Sequence, residues 1–238
     1  MKKLFSPKMI LLYIMTIISI FIISKKSTIN QIHYLSLGDG YSEGINSYGI
    51  KDYGYSDYLK DRLTKTNKLK FYTKDFSKKD LSIKLLQSNI INNQIIVVDN
   101  QKIALKEELQ NSDLITLSIG LNDLIYELSL EPTKNIRIID KILEETKQDY
   151  DSLIKEIRKY YKKDIYVVGY PNHLDDYYLS LSIRKLNNYL SNNKELVYIT
   201  PTNNKKYYNN PKSNYPTKDG YQAIASKLYK KYIKTLEK

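Results

Sequence analysis

The chain contains no cysteine and only two histidines, His33 and His173. The first absence excludes disulfides, thiol catalysis and cysteine-ligated metal centres. The second argues against a His-rich metal site and leaves any imidazole-based relay only two candidates. Glycine and proline are scarce, eight and six in 238 residues. Nowhere do they cluster into a break that would divide residues 32–238 into two domains. No glycine at all occurs from Phe71 to Leu86. The length suits one α/β domain with a substantial core.

Acidic residues are outnumbered, 26 against 38 Lys and Arg, for a formal charge of +12. Five of these charges are lysines before residue 27, a stretch without acids, which leaves +7 on the remainder. Lys2, Lys3 and Lys8 precede an apolar run, Met9 to Ile23, and Lys25-Lys26 follow it. Such a segment reads as a signal peptide or a retained anchor. No small-x-small cleavage site follows the run, so residues 1–26 are read as a signal-anchor, 27–31 as a linker and 32–238 as the folded domain. The run is short beside the ~20 residues usual for a span, and flanking lysines can snorkel. The lysine excess before the run favours an extracytoplasmic domain on a single-pass anchor, or a secreted one if the segment is cleaved. Elsewhere the lysines are scattered, without a basic helix or a glycine-aromatic RNA motif, so nucleic acid is not an expected partner. Attraction to an anionic membrane or wall polymer is.

Strand-length apolar runs occur at Ile32–Leu37, Leu69–Tyr72, Leu114–Ile119, Ile165–Tyr170 and Leu196–Ile199. Helical periodicity separates them at Tyr55–Leu63, Ile136–Tyr160, Leu179–Leu190 and Tyr221–Leu236. A small hairpin is expected at Ile95–Leu105, turning on Asp99-Asn100. The alternation predicts an α/β fold with a parallel sheet of about five strands and helices on both faces. Its sites belong at the carboxyl ends of the strands.

Three stretches follow such strand ends. Gly38-Asp39-Gly40-Tyr41-Ser42-Glu43-Gly44 comes after the first strand, and Gly120-Leu121-Asn122-Asp123 directly after the third. Tyr215-Pro216, with Gly220-Tyr221 behind it, opens the last helix. Their order and spacing resemble the blocks of the SGNH (GDSL-type) hydrolases, lipases and acylhydrolases. Most similar are the membrane-anchored members from low-GC Gram-positive bacteria. The resemblance implies a three-layer, flavodoxin-like α/β/α sandwich and acyl-ester hydrolysis without cofactor or metal. It places the nucleophile at Gly40, the base at Tyr215, the acid at Lys212, and oxyanion donors at the Gly40 N–H and the Asn122 amide, with Gly120 letting the chain turn. The glycine donor of the family's second block has no counterpart between Phe71 and Leu86. Asp123 is expected to hold its loop through backbone hydrogen bonds.

Glycine cannot attack a carbonyl, tyrosine (pKa about 10) is a poor base at neutral pH, and lysine repels an imidazolium. One reading is therefore a non-catalytic domain that binds a cell-envelope lipid, an acylated glycan or a protein partner. A second is an esterase with relocated residues, Ser42 attacking and His173 acting as base. A third is a scaffold in a membrane complex. His33 belongs on the far edge of the sheet. Asp175-Asp176 resembles a metal-binding pair without further ligands. Tyrosines gather near the predicted strand ends, among them Tyr41, Tyr48, Tyr55, Tyr170, Tyr208 and Tyr215, and aromatic faces with hydroxyl tips suit sugar or peptide.

Overall fold

The computed structural model describes residues 13–16, 31–172, 175–201, 204–210 and 213–236. It falls into two compact units, residues 1–31 and 32–238. In the first, residues 13–16 form a helical turn (α1). The rest of the expected signal-anchor and nearly all of the linker lie outside the described residues. Among those described, no helix is long and apolar enough to cross a membrane.

The second unit alternates strand and helix: β1 (Ile32–Gly38), α2 (Gly40–Glu43), α3 (Tyr55–Lys65), β2 (Leu69–Thr73) and α4 (Ile83–Ile91). A hairpin of β3 (Ile95–Val98) and β4 (Gln101–Ala104) then leads to α5 (Leu105–Asn111). There follow β5 (Leu114–Ser118), α6 (Leu121–Leu130), α7 (Ile136–Tyr160), β6 (Ile165–Val168), α8 (Tyr177–Asn192), β7 (Leu196–Ile199) and α9 (Lys218–Leu236). The five main strands are parallel, in the order β2-β1-β5-β6-β7. Right-handed crossovers put the helix leaving β1 toward β2 on one face and those moving the other way on the opposite face. Accordingly α3 packs against α9, while α4, α5, α6 and α8 gather around α7.

The strands carry almost unbroken apolar runs because both faces are covered; all of β5 and all of β6 are buried. In α7 the buried positions Ile139, Ile142, Leu143, Thr146, Tyr150, Leu153, Ile154 and Ile157 keep the 3.6-residue period, and Asn135 caps its start by accepting from the Ile138 N–H. Ile136, read as part of that stripe, is exposed. The hairpin turns on Asp99 and Asn100 with φ of 48° and 64°, the paired left-handed residues of a type I′ turn. The helices α4, α5 and α6 stand in segments where no helix is expected from periodicity. Two expected strands run long: β5 stops at Ser118 and β6 at Val168, which frees Gly120 and Tyr170 to turn at the sheet edge. The contiguous core runs from Ile32 to Tyr232, so the second unit supplies its own core and meets the requirement for independent folding.

At the end of β1, Gly38 adopts φ +131°, and a Cβ there would stand 2.7 Å from the Ser118 carbonyl carbon and nearer still to its oxygen. Strained backbone and a clash with the neighbouring strand fall together. Gly38→Ala is expected to lower stability by at least ~3 kcal/mol, read as a fall in thermal midpoint; an unchanged midpoint would contradict this register.

Candidate functional site

The strand order reverses at β1, which places a crevice between the carboxyl ends of β1 and β5. Asp39 leaves β1, accepts from the Tyr41 N–H at 3.1 Å through its carboxylate and so caps α2. Gly40 is the first residue of that helix. The segment after β7 returns to the same edge and is fastened there. The Tyr41 hydroxyl donates to the Asn214 carbonyl and the Tyr221 hydroxyl to that of Ile45, each at 2.5 Å. These bonds bring Tyr215 over Gly40. A Cβ on Gly40 would stand 2.6 Å from Cε1 and 2.7 Å from Cζ of Tyr215, and nearer still to its hydroxyl. The phenol therefore fills the volume into which any side chain at position 40 would project. Burial, then the negative charges of Asp39, Asp80 and Glu43, push the Tyr215 hydroxyl well above the usual tyrosine range. At neutral pH it holds its proton and is no base.

Beneath this contact lies a buried polar chain. Tyr170 donates its hydroxyl to Asp39, and Ser118 donates to the same carboxylate at 3.2 Å. Ser42 donates to the Leu37 carbonyl at 2.6 Å and is hydrogen-bonded to Tyr55 and Ser118 at 2.8 Å each. Ser42 is thus fully buried in the strand-helix junction, with no access to the crevice. Burial pushes the Asp39 carboxyl up from 3.8 to about 7, with Asp123 adding to the rise, while the bonds from Tyr170, Tyr41 and Ser118 oppose it. Tyr150 places a buried hydroxyl without a hydrogen-bond partner in the same region, close enough to Asp39 to feel its charge.

On the β5 side, both amide hydrogens of Asn122 serve the loop between β2 and α4, donating to the carbonyls of Lys79 at 2.8 Å and Leu81 at 3.0 Å. Asp123 accepts from the Ile83 N–H at 3.1 Å and fixes the start of α4. In this arrangement the Asn122 amide braces a loop rather than facing an oxyanion. Gly120 caps α6 at the end of β5. Gly40, Gly120, Asn122 and Tyr215 thus share one edge of the sheet; Ser42 lies below it. His173 and Lys212 fall outside the described residues. His33 sits at the opposite edge, 2.7 Å from the Glu108 carboxylate, and Asp176 caps α8 through the Leu179 N–H.

Beside Tyr215 opens a cleft of about 310 Å³ lined by Ser47, Tyr48, Gly49, Leu121, Asn122, Ile125, Asn210, Ser213, Asn214 and Tyr215. Among the described residues its lining is uncharged. The Asn214 side-chain oxygen is buried without a hydrogen-bond partner, and Tyr48 is 73% exposed at the rim. A roomier cleft of about 680 Å³ at Leu143, Arg184 and Tyr189 lies between α7 and α8, on a helix face rather than at the strand ends. The tyrosines read together in the sequence divide here: Tyr41, Tyr55, Tyr170 and Tyr208 are buried, and Tyr48 is exposed. The partnership of Asp39 with Tyr170 was not legible beforehand, because Tyr170 reads as the last residue of a strand.

Two expectations follow from this geometry. The native state holds the Asp39 proton more tightly than the unfolded chain, so its penalty grows as pH rises from about 4 to about 7. Asp39→Asn, neutral throughout, is expected to gain roughly 2 to 3 kcal/mol on the native chain between pH 5 and pH 8; parallel stability curves for the two proteins would refute it. Asn122→Ala is expected to cost about 1–3 kcal/mol in chemical denaturation and to speed amide exchange around Lys79–Leu81.

No protein-family model matches the chain, and no curated protein matches it in sequence. Solved structures do. A lipase from a goat rumen metagenome superposes with a TM-score of 0.63 at 19% identity, covering 82% of this chain and 94% of that one. A catalytic mutant of an acetylxylan esterase from Geobacillus stearothermophilus does so with a TM-score of 0.57 at 14% identity, covering 83% and 92%. A lipolytic protein of the G-D-S-L family from Veillonella parvula gives 0.54 at 14% identity, covering 83% and 96%. The α/β fold with its five-stranded parallel sheet matches that of the SGNH/GDSL lipolytic hydrolases.

Proposed function

We propose that this is a non-catalytic SGNH-like domain, held outside the cell membrane by its N-terminal segment, which binds a cell-envelope ligand in the cleft beside Tyr215. The observation that carries the reading is the Tyr215 phenol seated where a side chain at position 40 would begin. A serine at 40 would require the Tyr215 ring to swing aside, so the glycine at 40 suits the tyrosine at 215. The phenol keeps its proton at neutral pH, and the Asn122 amide hydrogens are already engaged. The esterase reading through Ser42 needs a hydroxyl at the cleft, whereas Ser42 is buried with three hydrogen-bond partners. The uncharged amide, hydroxyl and aromatic lining suits a neutral, hydroxyl-rich ligand such as an acylated glycan better than a charged one.

The test is labelling by a fluorophosphonate probe of the native protein and of a variant carrying Gly40→Ser, Lys212→Asp and Tyr215→His. The native protein is expected to remain unlabelled and to hydrolyse p-nitrophenyl acetate no faster than its Ser42→Ala variant. The triple variant is expected to label. Labelling of the native protein that disappears with Ser42→Ala would establish the relocated esterase instead.

A further inference from the structure

The edge of the sheet opposite the cleft carries the excess positive charge. Because the five main strands are parallel, their amino ends share this edge, and the carboxyl ends of the intervening helices return to it. Lys65 ends α3 and Lys70 stands in β2. Lys231 and Lys234 lie in the last turns of α9, which the bond of Thr235 to Tyr166 at 2.9 Å ties to the start of β6. All four lysines are exposed, and among the described residues none of them is in an ion pair. Three carboxylates at the same edge are matched, Asp113 by Lys163 at 2.6 Å, Glu156 by Lys159 at 2.5 Å and Glu195 by Arg158 at 3.7 Å, and Asp164 stands exposed beside them. The cleft edge is different in kind, with Asp39, Glu43, Asp80 and Asp123 gathered around Tyr215 and Asn122. Exposed lysines also stand at the cleft edge, among them Lys79, Lys205, Lys206 and Lys218, so what sets the opposite edge apart is the scarcity of carboxylates beside its lysines.

We infer that this basic edge docks on the surface of an anionic lipid bilayer. The choice of a membrane among polyanions comes from where the chain enters. The Ile32 N–H donates to the Lys68 carbonyl at 2.6 Å, so the first residue of β1 lies within the basic stretch between Lys65 and Lys70. The eight residues from Ser24 to Gln31 span at most about 28 Å. If the apolar run before them is inserted, this edge is tethered to the bilayer and its lysines meet the negative surface potential at short range. The inference rests on the anchoring part of the proposed function for its partner; it does not depend on loss of catalysis.

Residues 32–238, which contain the whole core, are incubated without the N-terminal segment with sedimenting vesicles of phosphatidylcholine alone or mixed with phosphatidylglycerol. Binding is expected only to the anionic vesicles, and to fall roughly tenfold or more between 50 and 500 mM salt. A variant with Lys65→Glu, Lys70→Glu, Lys231→Glu and Lys234→Glu is expected to lose binding. A control of equal charge at the cleft edge, Lys79→Glu, Lys205→Glu, Lys206→Glu and Lys218→Glu, is expected to keep most of it. Unchanged circular dichroism in both variants confirms folding. Absence of binding, equal binding to neutral vesicles, or equal loss in the two variants would overturn the inference. Complete competition by soluble polyphosphate at equal phosphate would also overturn it and reassign the edge to a wall polymer. Fluorophosphonate labelling is a separate readout, so failure of either proposal is distinguishable from failure of the other.

Discussion

The contact between Tyr215 and Gly40 is the constraint around which the carboxyl edge of this domain is arranged. An aromatic ring occupies a volume that an L-residue at position 40 would need for its first carbon, so a side chain at 40 would require the end of the Tyr215 ring to move. Two tyrosine hydroxyls hold the ring there, Tyr41 on the Asn214 carbonyl and Tyr221 on that of Ile45. Both bonds join the α2 region to the segment that opens α9, elements about 170 residues apart in the chain. Their geometry was built by the sheet: β1 and β7 deliver both segments to the same edge because their strands are parallel.

Under that contact, Asp39 does two jobs. It caps the short α2 helix, and it anchors Tyr170, Ser118 and through Ser118 the buried Ser42. A carboxyl group so deeply buried holds a proton near neutral pH, since desolvation penalises the charge more than three hydrogen bonds restore it. The strand-helix junction presents a hydrogen-bonded core. The surface left above it is an uncharged cleft braced by Asn122. At the other end of the strands stand the exposed lysines Lys65, Lys70, Lys231 and Lys234.

Much of this was readable from residue order. The strand runs Ile32–Leu37, Leu69–Tyr72 and Leu196–Ile199 match observed strands to within a residue, and α7 has the limits its apolar period implies. Strands buried on both faces and a long amphipathic helix write their environment into local composition, and Asp99-Asn100 writes its turn into two residues that tolerate positive φ. The helices α4, α5 and α6 are short; Leu121, Leu124, Ile125 and Leu128 of α6 do carry helical spacing, but over so few turns a helix depends on the neighbours that cover it. Ile136 looked like core because it continues a period, yet it stands beyond the end of the face that α7 buries.

The sequence by itself determined the α/β alternation and the arrival of Gly40, Asn122 and Tyr215 at strand ends. Local residue types and their period encode those properties. Only the tertiary structure decided that Tyr215 fills the space over Gly40, that Ser42 is locked beneath the surface, that the Asn122 amide is used by the loop from Lys79 to Leu81, and that Asp39 is paired with Tyr170. Each of these depends on contacts between residues tens to more than a hundred positions apart, and no local pattern records a distance of that kind.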